Sequence, residues 1–442
     1  MKKKIVLFII FILSMLAIVS CNKGLIYLEN ENGDTGSKTR ENFEYTHSDD
    51  KLVEYNVLYG DYLQYSDGYL YFFNGMSDFI NGSSNTLMRY NVKTGNITTV
   101  CPDPLCGHNT GDCPFFGTQH TYYLKNNKVS FNRAYLTDKT KPDGYTPIFW
   151  LGFVTYDMKA NKFTVHRRYN DFDETGGNIM QLYVDNYRYF YDNVHDEKTD
   201  TWKTLLTRMN LDTSEILRLS EDDVSFEISG LPDINTKFLF ELDSRIYMTD
   251  INTIYSTDYE MKNKKVHATG NFAFDVKTDG KYIYYGVKTD MKSAYKIQNV
   301  RRMNFDGTDD IDLGIVTAQF QITDKYIYYL TPDEIAIGKS RVSGYGLPEI
   351  TLYESEVRRC NHDGTNNESV FKFEGDMEYY RFSGYPPIVI GNYIYGLYHY
   401  WTDSNGDGVF ENDDLYQSGG NGDFNIMRIN IQTGEIYYIR VD

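Results

Sequence analysis

The sequence predicts an all-β chain closed into a seven-bladed β-propeller of four-stranded antiparallel blades. Three observations predict it. A Tyr-rich strand recurs seven times, each copy is followed by a segment anchored mostly at arginine, and no stretch beyond the first twenty residues has helical periodicity. In order, the Tyr-rich strands lie at Tyr69–Phe73, Lys128–Phe131, Tyr187–Tyr191, Arg245–Met248, Tyr282–Tyr285, Tyr326–Tyr329 and Tyr393–Tyr395. The anchors are Arg89, Thr155, Arg208, Ser256, Arg302, Arg359 and Arg428, spaced 46 to 69 residues apart. A four-stranded blade needs about 40–50 residues, so the shortest units are bare blades and the longer ones carry insertions. The second and fourth units are degenerate, which leaves six or eight blades open at this stage.

Within a unit the strands can be told apart. The sixth has a short strand at Ala318–Ile322, a second at Tyr326–Leu330, a third at Glu356–Asn361 and a fourth at Val370–Phe373. Asp306-Gly307, Asp363-Gly364, Thr94-Gly95 and Thr433-Gly434 supply the positive-φ position that a tight hairpin requires. Tyr282–Tyr285 is apolar on both faces, as a strand covered by neighbouring blades should be. The 41 tyrosines are accordingly read mainly as core and interblade packing, with some left over for stacking on sugars.

The chain divides into a signal segment (1–20), a tether (21–50) and the propeller (51–442). Lys2, Lys3 and Lys4 precede an apolar run from Ile5 to Val19, the pattern of a secretory signal. Asn22 to Asp50 is polar and poor in large aliphatics; as a coil it reaches about 30 Å. Net charge is −18, and three units more negative without the signal lysines. So acidic a surface repels nucleic acid and anionic lipid, which excludes nucleic acid as a partner, and suits divalent cations and neutral or cationic ligands. A monomer is expected.

Two constellations could carry chemistry. Asp403-Ser404-Asn405-Gly406-Asp407-Gly408 opens a twelve-residue pattern of calcium-loop type. Asp403, Asn405, Asp407, the Val409 carbonyl, Glu411 and Asp414 are its candidate calcium ligands, in a structural role. The second is Cys101-x₄-Cys106-x-His108-x₄-Cys113. It offers four zinc ligands at a non-standard spacing, while outside the membrane a disulfide within the same set competes. Cys360 stands apart in a third strand and reads as a buried small hydrophobe. The eight His are scattered singly and read as packing or surface residues. In an antiparallel blade, second-to-third connections share a rim with fourth-to-first connections. The insertions 132–150, 331–353 and 399–425 and the Cys loop should therefore crowd one rim.

Ile18-Val19-Ser20-Cys21 resembles the lipobox of bacterial lipoproteins, which implies lipidation of Cys21. With the Tyr-Ile-Tyr-Tyr strands, the Arg-x-Asn-x-Asp-Gly turns and the Cys-Pro-Asp-Pro-Leu-Cys-Gly-His block, the whole resembles clostridial-type lipoproteins of Gram-positive bacteria. Their propeller domain is similar to that of the low-density lipoprotein receptor-related family and, more loosely, to TolB. The resemblance implies fold and location: an extracytoplasmic body, lipid-anchored to the cell membrane. It names no reaction. The expected role is a binding or scaffolding module for a protein or glycan. The alternative is a carbohydrate-active hydrolase or lyase, though the chain has no sialidase-type Asp box, Gly-x-Ser-x-Gly or His-Glu-x-x-His.

Overall fold

In the computed structural model, the chain is described from Leu63 to Ile439. Excepted are residues 75–85, 104–105, 107–112, 114, 116–117, 126, 141–146, 170–180, 197–198, 222–236, 251, 271, 289–297, 318–319, 334–352, 373–379, 383–387 and 401–424. The signal segment, Cys21, the tether, His108 and the whole calcium-type loop from Asp403 to Asp414 lie outside the described residues.

Seven antiparallel sheets follow one another along the chain, and among the described residues there is no helix. They span residues 64–99 (blade 1), 118–169 (blade 2), 182–218 (blade 3), 237–269 (blade 4), 272–317 (blade 5), 320–372 (blade 6) and 380–439 (blade 7). Each is a meander in sequence order. In blade 7 the first strand is split into Tyr380–Phe382 and Ile388–Ile390, which both pair with Tyr393–Tyr400. The degenerate second and fourth units are complete blades, so the count is seven.

First strands are the inner ones. Leu182–Val184, Phe320–Ile322 and Ile388–Ile390 are buried throughout, whereas the fourth strands Ile216–Arg218 and Glu368–Lys372 are largely exposed. Side chains stitch adjacent inner strands together. Gln64 of blade 1 donates through Nε2 to the Tyr122 carbonyl of blade 2 (2.8 Å) and accepts from the Leu124 N–H (3.1 Å). Lys277 of blade 5 donates to the Phe320 carbonyl of blade 6 (2.6 Å).

Every blade repeats one register. Opposite the anchors stand Tyr71 (Arg89), Ser130 (Thr155), Tyr189 (Arg208), Tyr247 (Ser256), Tyr284 (Arg302), Tyr328 (Arg359) and Tyr395 (Arg428). Alternate strand residues share a face, so the residue two positions before each of these, a Tyr in five blades, lies beside the anchor. In five blades the guanidinium sits over that ring: Arg89 on Tyr69, Arg208 on Tyr187, Arg302 on Tyr282, Arg359 on Tyr326 and Arg428 on Tyr393, at 4.1 to 5.1 Å from the centroid. Such contacts contribute about 0.5–1 kcal/mol each where exposed and more where desolvated.

The two degenerate blades solve the same problem differently. The cation moves to the second strand, as Lys128 and Arg245, and the anchor becomes a hydroxyl, Thr155 or Ser256. Each hydroxyl then meets a histidine eleven residues on: His166 Nε2 at 3.0 Å from Thr155 Oγ1, and His267 Nε2 at 2.9 Å from Ser256 Oγ. Arg245 also donates to Ser256 Oγ (2.8 Å).

The ring closes through side chains. Among the described residues no strand of one blade pairs with another blade, and blade 1 meets blade 7 through side chains. Leu70, Phe72 and Tyr90 bury against Ile390, Tyr395 and Ile426. The Tyr90 and Tyr395 rings lie 6.1 Å apart, and Arg428 Nη1 donates to the Tyr90 hydroxyl (3.3 Å) across 338 residues of sequence.

Candidate functional site

The two rims of the ring are unlike. One carries the first-to-second turns, two or three residues each, and the third-to-fourth turns, four to seven residues each. The opposite rim carries the second-to-third and fourth-to-first connections. These include residues 100–117, 219–236, 334–352 and 401–424, each at least eighteen residues long. The strands that flank the Cys loop and those that flank the calcium-type loop therefore end on this same rim. The segment 132–150, read from sequence as an insertion, is mostly strand. Lys128–Thr140 and Pro147–Asp157 pair almost throughout, so the hairpin continues beyond the blade proper. Blade 3 has a similar arm. Tyr187–Asp196 and Thr201–Asn210 pair over ten residues, while the first strand covers only three of them, and Trp202 on this arm is exposed.

The structure brings three of the four sequence-predicted residues of the Cys loop together. Cys101 follows the fourth strand of blade 1, and Cys113 comes five residues before the first strand of blade 2. A tight turn, in which the Cys106 N–H donates to the Asp103 carbonyl (3.2 Å), folds Cys106 back toward Cys101. The three Sγ atoms all lie within 4.8 Å of one another, and none is in a disulfide. Cys101 and Cys113 are buried and Cys106 is partly exposed. Burial raises the Cys101 thiol pKa and pushes that of Cys113 up to about 12. The trio sits in the interface of blades 1 and 2 among Tyr71, Val100, Phe115, Tyr122 and Phe131. Phe115, fully buried, anchors the loop edge-on to Tyr156 and Phe163, with centroids at 5.4 and 5.5 Å.

Cys360 is buried opposite Ile327 in blade 6, far from this trio in the ring, and burial lifts its thiol to about 12. It is the packing residue that its strand position implies.

Sequence reasoning missed a buried arginine and a half-buried charged cluster. Arg188 is fully buried, with its guanidinium 3.7 Å from the Phe153 centroid and 4.2 Å from that of Phe190, and it donates to Gln181 Oε1 (2.7 Å). Nothing in the local sequence separates it from the exposed arginines. The other is an interblade cluster. Asp279, in the first turn of blade 5, accepts from the Tyr284 hydroxyl (2.8 Å) and lies 3.3 Å from His362 Nδ1, in the last turn of blade 6. His362 Nε2 is 2.9 Å from the Thr323 carbonyl.

Burial disfavours both charges in that cluster, but the mutual hydrogen bonds outweigh it. The Asp279 carboxyl is held down at about 2 and the His362 imidazole is raised above its ordinary 6.5. The histidine's contribution is complete below pH 6.5 and is lost as pH rises through its raised value. The aspartate's contribution is complete above its ordinary 3.8 and is lost as pH falls through about 2. His362→Gln is therefore expected to cost most between pH 4 and 6.5, about 1–3 kcal/mol. The deficit should shrink toward both extremes in denaturant unfolding measured across pH. A deficit independent of pH would contradict the ion pair.

No family model matches the chain, and no curated protein matches it. Solved structures do. The β-propeller domain of the Trilobed protease from Pyrococcus furiosus, described as having an open velcro topology, aligns with 11% identity and a TM-score of 0.45. It covers 86% of this chain and 98% of that one. Pyrococcus horikoshii acylaminoacyl peptidase aligns with 10% identity and a TM-score of 0.43 over 79% of this chain and 49% of that one, so the chain spans about half of the peptidase. Oligogalacturonate lyase from Vibrio parahaemolyticus aligns with 10% identity and a TM-score of 0.39 over 90% of each.

Proposed function

We propose that the protein is an extracytoplasmic lipoprotein, anchored in the bacterial cell membrane through acylated Cys21, whose monomeric propeller is a binding or scaffolding module for a protein or glycan. The observation that supports it is the asymmetry of the rims: long connections gather on one face of a rigid ring whose other face is all short turns. Loops held on a rigid scaffold are where recognition concentrates. In the same reading Asp403, Asn405, Asp407, the Val409 carbonyl, Glu411 and Asp414 hold a structural calcium that shapes the longest of these connections.

The test has two arms. Full-length chain is screened on a glycan array and by pull-down from envelope extract, with and without chelator. A ligand whose capture falls at least tenfold when residues 401–424 are replaced by a short hairpin supports the proposal. Capture unaffected by that replacement and by shortening 334–352 would refute the rim assignment. Polysaccharide cleavage by the same preparation would replace binding with the hydrolase or lyase reading. For the anchor, Cys21→Ser is expected to abolish acyl labelling and release the chain from the membrane fraction; retention with full labelling would overturn lipidation at Cys21.

A further inference from the structure

Beyond ligand binding, the convergence of three cysteines needs its own explanation. A disulfide would consume two of them and leave the third with no reason to be close. Instead all three Sγ atoms come together, each within 4.8 Å of the others, and none is in a disulfide. We propose that Cys101, Cys106 and Cys113 form a structural zinc site that locks the connection between blades 1 and 2.

The geometry suits one ion. Three atoms no more than 4.8 Å apart have a common point no farther than about 2.8 Å from each, while zinc–thiolate bonds are about 2.3 Å long and set their sulfurs about 3.8 Å apart. A contraction of about an ångström between sulfurs closes the site. Three thiolates leave one position of the tetrahedron for a fourth donor.

The surroundings suit a structural role. Val100, Phe115, Tyr122 and Phe131 share one buried cluster with Cys101 and Cys113, and Cys106 packs against it from the partly exposed side. The connection is one of the longest in the ring, and Phe115 is its buried apolar anchor at the blade 2 end. At the other end the fourth strand of blade 1 ends at Thr99, two residues before Cys101. An ion there joins the outer edge of blade 1 to the entry of blade 2, in addition to the side-chain packing and the Gln64 hydrogen bonds that hold the two blades. Only deprotonated sulfurs ligate, so loading releases protons to solvent and binding strength feeds directly into folding stability.

The test uses the full chain, purified in detergent, with zinc itself as the probe. Expected are about one zinc per chain by elemental analysis and protection of all three loop thiols from alkylation until a chelator is added. Cobalt(II) loaded in place of zinc should give sulfur-to-metal charge-transfer absorption and the intense visible bands of a tetrahedral site. Cys106→Ser, at the partly exposed position, should weaken zinc binding at least tenfold, with the β-sheet circular dichroism retained. Two results would overturn the site. One is an intact mass two hydrogens lighter than the thiol form and unaffected by chelator, which is a disulfide. The other is alkylation of the three loop thiols at equal rates with and without zinc. Neither needs a variant, so a misfolded mutant cannot hide the answer.

Discussion

Gly364→Ala is expected to destabilise the protein by about 2–5 kcal/mol, through strain and overlap acting at once. Gly364 has φ +82°, a conformation that costs an L-residue about 1–2 kcal/mol. A Cβ there would also stand 2.5 Å from the carbonyl oxygen of Leu313, in the fourth strand of blade 5. Backbone in a packed strand cannot step aside as a side chain can. Gly307 is the same residue one blade earlier, at φ +85°, where a Cβ would overlap the carbonyl oxygen of His267 in blade 4. Gly434 separates the two causes. Its φ is +73°, but the nearest atom, on Phe371, is 4.0 Å away, so Gly434→Ala should cost only the strain, about 1–2 kcal/mol. Denaturant unfolding of the three variants checks the order; equal losses at 364 and 434 would show that the close approach of blade to blade costs nothing.

Phe72→Ala should lose about 3–5 kcal/mol, the range for emptying a fully buried phenylalanine site. Phe72 lies in the seam where blade 1 meets blade 7, beside Tyr395 and Ile426, and no backbone ladder crosses that seam among the described residues. Its loss should therefore open the ring at one place. In native-state hydrogen exchange, blades 1 and 7 should lose protection together, ahead of blades 4 and 5. Val316→Ala, on a side chain 45% exposed in blade 5, serves as the control and should change stability by less than about 0.5 kcal/mol. A Phe72→Ala loss below about 1 kcal/mol, or uniform loss of protection around the ring, would mean that closure does not depend on this seam.

The repeat was legible because a propeller repeats its local chemistry, although the two degenerate units left the exact count to the structure. The Tyr-x-Tyr strands and their Arg partners recur at one register in five blades, and that register is a local property of a hairpin. The two blades that break the pattern looked weak only when each residue was judged alone. Thr155 with His166 and Ser256 with His267 share a spacing of eleven residues, and that spacing was the available signal. The turn glycines were equally visible, since a positive φ at Gly95, Gly307, Gly364 and Gly434 is dictated by the hairpin itself.

Arg188 and the Asp279–His362 pair were not legible, because what distinguishes them is who faces them from the next blade. Asp279 and His362 are 83 positions apart, and no periodicity links a first turn in one blade to a last turn in the next. The Cys loop falls between these cases. Its spacing marked Cys101, Cys106 and Cys113 as a set, yet thiols at that spacing serve a bridge or an ion equally well.

By itself, then, the order of residues determined the unit, its repetition and the rim on which the long connections lie, while the structure settled the count at seven by completing the two degenerate blades. These follow from alternation, turn chemistry and strand polarity, which act over a few residues and repeat. Only the tertiary structure decided which side chains seal blade to blade, where a buried charge finds its partner, and that three sulfurs meet at one point. Those depend on contacts between residues tens to hundreds of positions apart, and burial and distance at such contacts arise only when the ring closes.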